Sequence, residues 1–247
     1  MPRRHWTVTP SHRHTAVARL LPDLEAAWRL QGERVNDQVI RFRCGDQSYY
    51  LKRYTTPRRF HQRLPGHNRA VREWHNLQWF HRMGIPTAPL VAFGLERRFG
   101  LFQRGVLVTE ALPGCLDLAR MARRDHPRLG DGDWLRQVSD RLALITRRMH
   151  QARFCHNDLK WRNVLVEPDS DSPAVYLIDC PTGRRWPFPF LGFRKLKDLA
   201  CLDKVGRKRL RRTQRLRFYL TYAGRSRLTA TDKRAIRKIV RMYADEE

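Results

Sequence analysis

Two short stretches carry residue types that can move a phosphoryl group. One is His156-Asn157-Asp158-Leu159-Lys160-Trp161-Arg162-Asn163, and the other is Tyr176-Leu177-Ile178-Asp179. A carboxylate such as Asp158 can take the proton from an attacking hydroxyl. Asn163, five residues further on, can share a hard cation with a second carboxylate. Asp179 ends the apolar run Val175-Tyr176-Leu177-Ile178, where a metal-binding carboxylate belongs. A lone His-x-Asp usually marks a turn, and a lone Ile-Asp at a strand end is commoner still. The ordered combination is rarer, so the test lies in the elements that must position it. These are a lysine on an early strand, a glutamate on the next helix and a hinge ahead of the loop.

The chain supplies candidates for all three. Gln38-Val39-Ile40-Arg41-Phe42-Arg43, a turn at Cys44-Gly45-Asp46-Gln47, and Ser48-Tyr49-Tyr50-Leu51-Lys52-Arg53-Tyr54 read as a β-hairpin with Lys52 in its second strand. Most strand lysines simply face solvent, so its place in the order of elements is what singles it out. A polar linker from Thr56 to Asn68 follows. Val71, Trp74 and Leu77 then set a helix over 69–83, stopped by Gly84 and carrying Glu73 in its first turns. Glu73 is either the partner of Lys52 or an exposed partner of Arg69 or Arg72. Leu90-Val91-Ala92-Phe93-Gly94 and Val106-Leu107-Val108-Thr109 predict two more strands. The second runs through Glu110-Ala111-Leu112 into Pro113-Gly114, which is a hinge or merely a surface turn. Beyond it the chain turns helical. Leu142, Ile145 and Met149 form a stripe ending just before His156, and a strand pair follows over 164–166 and 175–178. The tail from Leu196 to Tyr243 reads as helices, with Thr229 and Asp232 as a capping box.

Bulk properties bound the function. A length of 247 residues suffices for two packed lobes, and no stretch is apolar enough to span a membrane. Met1-Pro2-Arg3-Arg4-His5-Trp6 has no apolar core behind it, which argues against a secretory signal. The five cysteines are scattered and form no C-x-x-C pair, so reduced thiols are expected; Cys155 and Cys180 flank the motifs as small packing residues or as reactive ones. The formal net charge of +26 implies polyanionic partners: nucleic acid, anionic lipid or an acidic substrate. The run Arg207-Lys208-Arg209, Arg211-Arg212, Arg215 and Arg217 is either a solvated helix face or an anion- or membrane-contacting surface.

With these parts in order, the chain resembles the lipopolysaccharide core kinases, the heptose and Kdo kinases, a branch of the protein-kinase-like fold. The resemblance runs from about Trp28 into the C-terminal helices. Tyr49-Tyr50-Leu51-Lys52-Arg53 is similar to that family's strand lysine segment. Ala70-Val71-Arg72-Glu73-Trp74 with Gly84-Ile85-Pro86-Thr87-Ala88-Pro89 is similar to its helix glutamate and following turn. Val106-Leu107-Val108-Thr109-Glu110 resembles its hinge strand, and Lys197-Asp198-Leu199-Ala200 a motif after the metal aspartate. The resemblance implies an α+β, bilobal fold: a β-rich N-lobe over 1–112 and a mainly helical C-lobe over 113–247. It implies Lys52 on the phosphates of ATP, Glu73 as its partner, Asp158 as base, and Asn163 and Asp179 on Mg²⁺. Glu110 and Leu112 would read the nucleotide at the hinge, and Asp198 would brace the catalytic loop.

Departures from the protein-kinase pattern are specific. The loop Gln31-Gly32-Glu33-Arg34-Val35-Asn36-Asp37 has one glycine in place of G-x-G-x-x-G, with Arg34 as a source of charge. Asn157 replaces the Arg of H-R-D, which removes the usual handle for activation-loop phosphorylation. Asp179-Cys180-Pro181 replaces D-F-G, and the basic aromatic stretch Gly183-Arg184-Arg185-Trp186-Pro187-Phe188-Pro189-Phe190 follows. That stretch is an acceptor contact or a proline-stiffened packing loop. The expected function is ATP-dependent phosphorylation of a heptose or Kdo hydroxyl on the lipopolysaccharide inner core, at the cytoplasmic face of the inner membrane. The expected partners are the anionic core glycolipid and an anionic membrane surface. The alternatives are an inactive nucleotide-binding scaffold, a small-molecule kinase of the antibiotic phosphotransferase kind, which the basic surface disfavours, and a nucleic-acid-associated kinase, for which no RNA-binding motif is visible.

Overall fold

The computed structural model describes residues 2–57, 59–64 and 68–243; part of the linker expected over 56–68 lies outside the described residues. The chain divides into two compact units, one of Met1–Phe80 with Thr87–Pro113, the other of His81–Pro86 with Gly114–Glu247.

The first unit opens with β1 (Arg3–Val8), α1 (Ala16–Leu20), α2 (Leu24–Arg29) and β2 (Glu33–Arg34). It continues with β3 (Val39–Cys44), β4 (Gln47–Tyr54), α3 (Arg69–Arg82), β5 (Leu90–Arg98) and β6 (Leu101–Glu110). All six strands form one antiparallel sheet in the order β1-β5-β6-β4-β3-β2. Turn chemistry sets the hairpins. Gly45 sits at φ +62 between β3 and β4, while Phe99 and Gly100 lie at φ 52 and 77 between β5 and β6. Period-two burial then sorts the faces. Tyr49 and Leu51 pack with Ile40, Phe42, Val106 and Val108 beneath the small helices, against Val17, Leu21 and Leu24. Lys52 therefore projects from the opposite face. There the α3 residue Trp74 stacks on Phe93 of β5 with ring centroids 5.3 Å apart. Strand β1, unforeseen from the sequence, pairs with β5 from Arg3↔Arg97 to Val8↔Ala92. Its basic residues conceal the pattern because an edge strand needs only one buried side.

The second unit contains β7 (Leu116–Asp117), α4 (Leu118–Arg123), α5 (Gly132–Gln151), β8 (Phe154–Cys155), β9 (Val164–Val166) and β10 (Val175–Leu177). It ends with β11 (Arg184–Arg185), α6 (Phe190–Arg209), α7 (Arg212–Ala223) and α8 (Ala230–Arg241). Asp131 caps α5 by accepting from the amides of Asp133 and Trp134. Trp134, Val138, Leu142 and Met149 of α5 are buried and lead the chain to β8 and His156. Two small sheets, β10-β9-β7 and β11-β8, frame the loop between β8 and β9. Helix α6 starts at Phe190, earlier than the sequence pattern placed it, and packs on α8 through Leu199, Ala200 and Ile239. Helix α7 stops at Gly224, at φ +66, where a Cβ would run into the Arg147 guanidinium.

Helix α8 has the capping box read from the sequence: the Thr229 side chain takes the Asp232 amide, and Asp232 takes the Thr229 amide. The Asp232 carboxyl is drawn down to about 2, chiefly by the Thr229 hydroxyl and amide, with Tyr219 and Arg225 adding to the pull. A folded pKa below the unfolded one means this stabilisation is present above about pH 4. It is lost as pH falls towards 2. Asp232→Asn should lower the thermal midpoint by a few degrees at pH 7, and the gap to wild type should close near pH 2; calorimetry across that range checks it.

Candidate active site

In the first unit, the register of β4 and the phase of α3 bring Lys52 and Glu73 together. The Lys52 ammonium donates to both Glu73 oxygens, at 2.9 and 3.2 Å. The Tyr54 hydroxyl donates to the same carboxylate. Glu73 is 3 % exposed, so its charge depends on these partners. The alternative of an exposed Glu73 is thereby excluded. Glu110 ends β6, and its carboxylate accepts from His12 Nε2 at 2.7 Å. The Glu110 amide is taken by the Pro89 carbonyl and the Ala111 amide by that of Ser48. Leu112 follows directly. The loop over 31–37 is a β2–β3 hairpin in which Arg34 pairs with Asp37. Gly32 is required there, since a Cβ would come within 2.5 Å of the Arg41 carbonyl oxygen.

In the second unit, Asp158, Asn163 and Asp179 are stitched into one frame. The Asn163 amide nitrogen donates to the Asp158 carbonyl at 2.8 Å and to its carboxylate at 3.3 Å. The Ile178 amide donates to the Asn163 carbonyl at 3.0 Å, which anchors the strand end before Asp179. The buried His156 ring meets the Ile178 carbonyl at 3.3 Å. Burial lowers the His156 pKa, so the ring stays neutral. Asn157 and Asp179 both adopt left-handed backbone, at φ 63 and 57, a conformation that Asn and Asp tolerate best. The Asn157 amide donates to the Thr182 carbonyl at 2.8 Å, tying the loop to the segment after Asp179.

The brace behind this frame is Asp198. It is fully buried, and its two oxygens accept from the amides of His156 and Asn157 at 2.7 and 2.8 Å. His150 approaches it at 3.2 Å and meets the Tyr222 hydroxyl at 2.8 Å through its other ring nitrogen. His150 and Tyr222 were not singled out from the sequence, because one lies in the apolar stripe of α5 and the other within a basic tail. Lys160 was also passed over. Its ammonium lies 2.7 Å from Asp158, and Arg162 lies 3.1 Å from the other oxygen. The signal was present in the motif, as a lysine two residues after the aspartate. Burial alone would raise the Asp158 pKa. Lys160 and then Arg162 outweigh burial, holding the carboxyl below its ordinary value and ionised at neutral pH. Cys155, in contrast, is pushed up to about 12 by burial and by Asp198, so it packs as a thiol.

The residues fit a hard cation. With both donors of its amide turned to Asp158, Asn163 is left with a carbonyl oxygen to offer, and Asp179 adds a carboxylate. An antiparallel sheet bearing a lysine–glutamate pair, together with a helical unit holding a braced aspartate loop, defines the class as kinase-like. A solved structure of WaaP in complex with acyl carrier protein superposes with a TM-score of 0.67 over 97 % of this chain and 93 % of that one, at 24 % identity, and shows the shared fold. Residues 25–222 match the lipopolysaccharide kinase (Kdo/WaaP) family, and the chain belongs to it. It is 27 % identical over 111 residues to a 3-deoxy-D-manno-octulosonic acid kinase of Actinobacillus succinogenes, covering 45 % of this chain and 43 % of that protein. Against the enzyme of the same name from Pasteurella multocida it is 28 % identical over 124 residues, 48 % of each chain. The aligned stretch thus spans about half the length of these curated relatives or less.

Asp198→Asn tests the brace. An amide keeps the shape but sets an N–H₂ against one of two buried backbone donors, which costs about 1–3 kcal/mol. The variant should unfold at lower temperature and lose at least about tenfold in kcat, with KM for nucleotide changed less. Unchanged kcat at full stability would remove Asp198 from the positioning of the loop.

Proposed function

We propose that this chain is an ATP-dependent kinase that phosphorylates a heptose or Kdo hydroxyl of the lipopolysaccharide inner core, at the cytoplasmic face of the inner membrane. The observation that carries the reading is Asp158, held ionised beside Lys160 on a loop whose backbone is fixed by Asp198. In this reading Asp158 receives the acceptor hydroxyl's proton as that oxygen attacks, and Lys160 balances charge on the phosphoryl group in flight. Lys52, fixed by Glu73 and Tyr54, holds the nucleotide phosphates. Asn163 and Asp179 would hold Mg²⁺, which would draw charge from those phosphates. The Glu110 carbonyl and Leu112 amide are assigned to the adenine edge, since the neighbouring Glu110 and Ala111 amides are already engaged. An inactive scaffold has no use for a loop so thoroughly fixed.

The test is phosphate counting. Purified protein, ATP and Mg²⁺ are incubated with core acceptors ending in Kdo or carrying heptose, and the products are weighed by mass spectrometry. One added phosphate on one acceptor class supports the reading and names the sugar. Asp158→Ala should reduce turnover by about 10²–10⁴-fold while keeping the thermal midpoint. Near-normal turnover in that variant, or nucleotide binding with no phosphorylated product, overturns it.

A second reading concerns a partner. The WaaP structure was solved with acyl carrier protein. In the second unit of this chain a cavity of about 490 Å³ opens among α4, α5, α6, α7 and α8. Leu118, Leu135, Leu142, Leu202 and Leu216 line it, and Arg212 stands among them. We assign this cavity to an acyl chain delivered by such a carrier. Size-exclusion chromatography should show co-elution with the acyl-loaded carrier and not the unloaded one, weakened roughly tenfold by Leu216→Glu. Equal binding of both carrier forms would refute it.

A further inference from the structure

The segment that follows Asp179 has a use that neither the kinase chemistry nor the core absorbs. From Gly183 to Lys197 there is no acidic residue, while Arg184, Arg185, Arg194, Lys195 and Lys197 supply five cations. Among them, Phe188, Phe190 and Phe193 are 91 %, 59 % and 56 % exposed. Three exposed phenylalanines in six residues make an apolar patch with a basic rim, which hydration alone disfavours. The patch is held, not loose. Strand β11 pairs with β8, Arg184 opposite Cys155 and Arg185 opposite Phe154. The Trp186 amide donates to the Arg153 carbonyl at 2.9 Å. The Trp186 ring lies under two guanidinium groups, Arg184 at 3.7 Å and Arg194 at 4.1 Å. This stack clips the turn to the first part of α6, leaving the phenylalanines outside it.

We propose that residues 184–197 form a docking surface for an anionic lipid bilayer, with Phe188, Phe190 and Phe193 entering the headgroup region and the surrounding cations attracting anionic headgroups. Aromatic rings beside Lys and Arg, with no acidic residue, suit an interface that supplies apolar depth and negative charge at once. Pro187 and Pro189 remove two backbone donors from the turn, so it offers a protein partner fewer hydrogen bonds. The strand pairing gives the surface its purpose. Strand β8 runs directly into His156, so a bilayer seated on this patch would present lipid-linked hydroxyls to the loop that carries Asp158. That purpose rests on the glycolipid reading above; the docking itself does not.

Vesicle co-sedimentation of the purified full chain, without nucleotide or acceptor, separates the two. Vesicles of phosphatidylcholine alone are compared with vesicles containing one-third phosphatidylglycerol. Wild type should partition onto the anionic vesicles and be released by high salt. Phe188→Ser with Phe190→Ser should weaken partition about tenfold or more at unchanged thermal midpoint. Lys195→Gln and Lys197→Gln should weaken it about fivefold each, and Arg211→Gln with Arg212→Gln distinctly less. Absence of wild-type binding, equal binding to neutral vesicles, or undiminished binding of the phenylalanine variant would overturn the proposal. So would dependence on Arg211 and Arg212 alone. Capture of wild type but not the phenylalanine variant by an acidic protein, with no vesicle binding, would reassign the patch to a protein partner.

Discussion

A single buried carboxylate governs the second unit. Among the described residues, Asp198 is satisfied by two consecutive backbone amides and by His150. Charge-assisted bonds of this kind are among the strongest available to a neutral backbone. They allow Asn157 to remain in left-handed backbone, at a cost of about 1–3 kcal/mol for such a residue. Once that bend is fixed, the direction of Asp158, the reach of the Asn163 amide and the anchoring of Ile178 follow from short local bonds. The acid that shapes the loop thus lies on a helix some forty residues downstream.

Much of this was legible in the sequence, and the reasons are physical. The α+β order of elements could be read because Lys52, Glu73 and the strand at 106–109 come in the order that the kinase-like fold follows. Helix α3 declared itself through Val71, Trp74 and Leu77, and α8 through Thr229 and Asp232. Less legible was anything whose role lies in a distant bond. Asn157 was read only as a departure from an arginine, yet its amide joins two segments twenty-five residues apart. Tyr54 gave no sign that its hydroxyl would reach Glu73, because strand phase does not reveal what a helix sets opposite. The short helices α1 and α2 were missed because five or six residues carry too little period to detect.

The large positive charge is unevenly available. In the C-terminal run, Arg215 is bound to Asp203 through two bonds of 2.7 Å, Arg209 pairs with Asp125, and Arg207 donates to the Tyr243 carbonyl. Arg104 likewise bridges Glu25 and Glu96 in the first unit. Density of basic residues along a sequence is therefore a poor guide to where anions are met. A less crowded segment, 184–197, contains no acidic residue and sets its cations beside exposed rings.

The bond from Tyr54 to Glu73 has a consequence for control. In kinases that relay signals, the glutamate helix swings and the lysine pair is made or broken on command. Here the glutamate is claimed by two residues on one face of β4, Lys52 and Tyr54, and it is buried between them. A helix held so has little freedom to disengage. The lysine–glutamate pair is thereby a fixed part of the sheet and helix, not a contact waiting to be assembled.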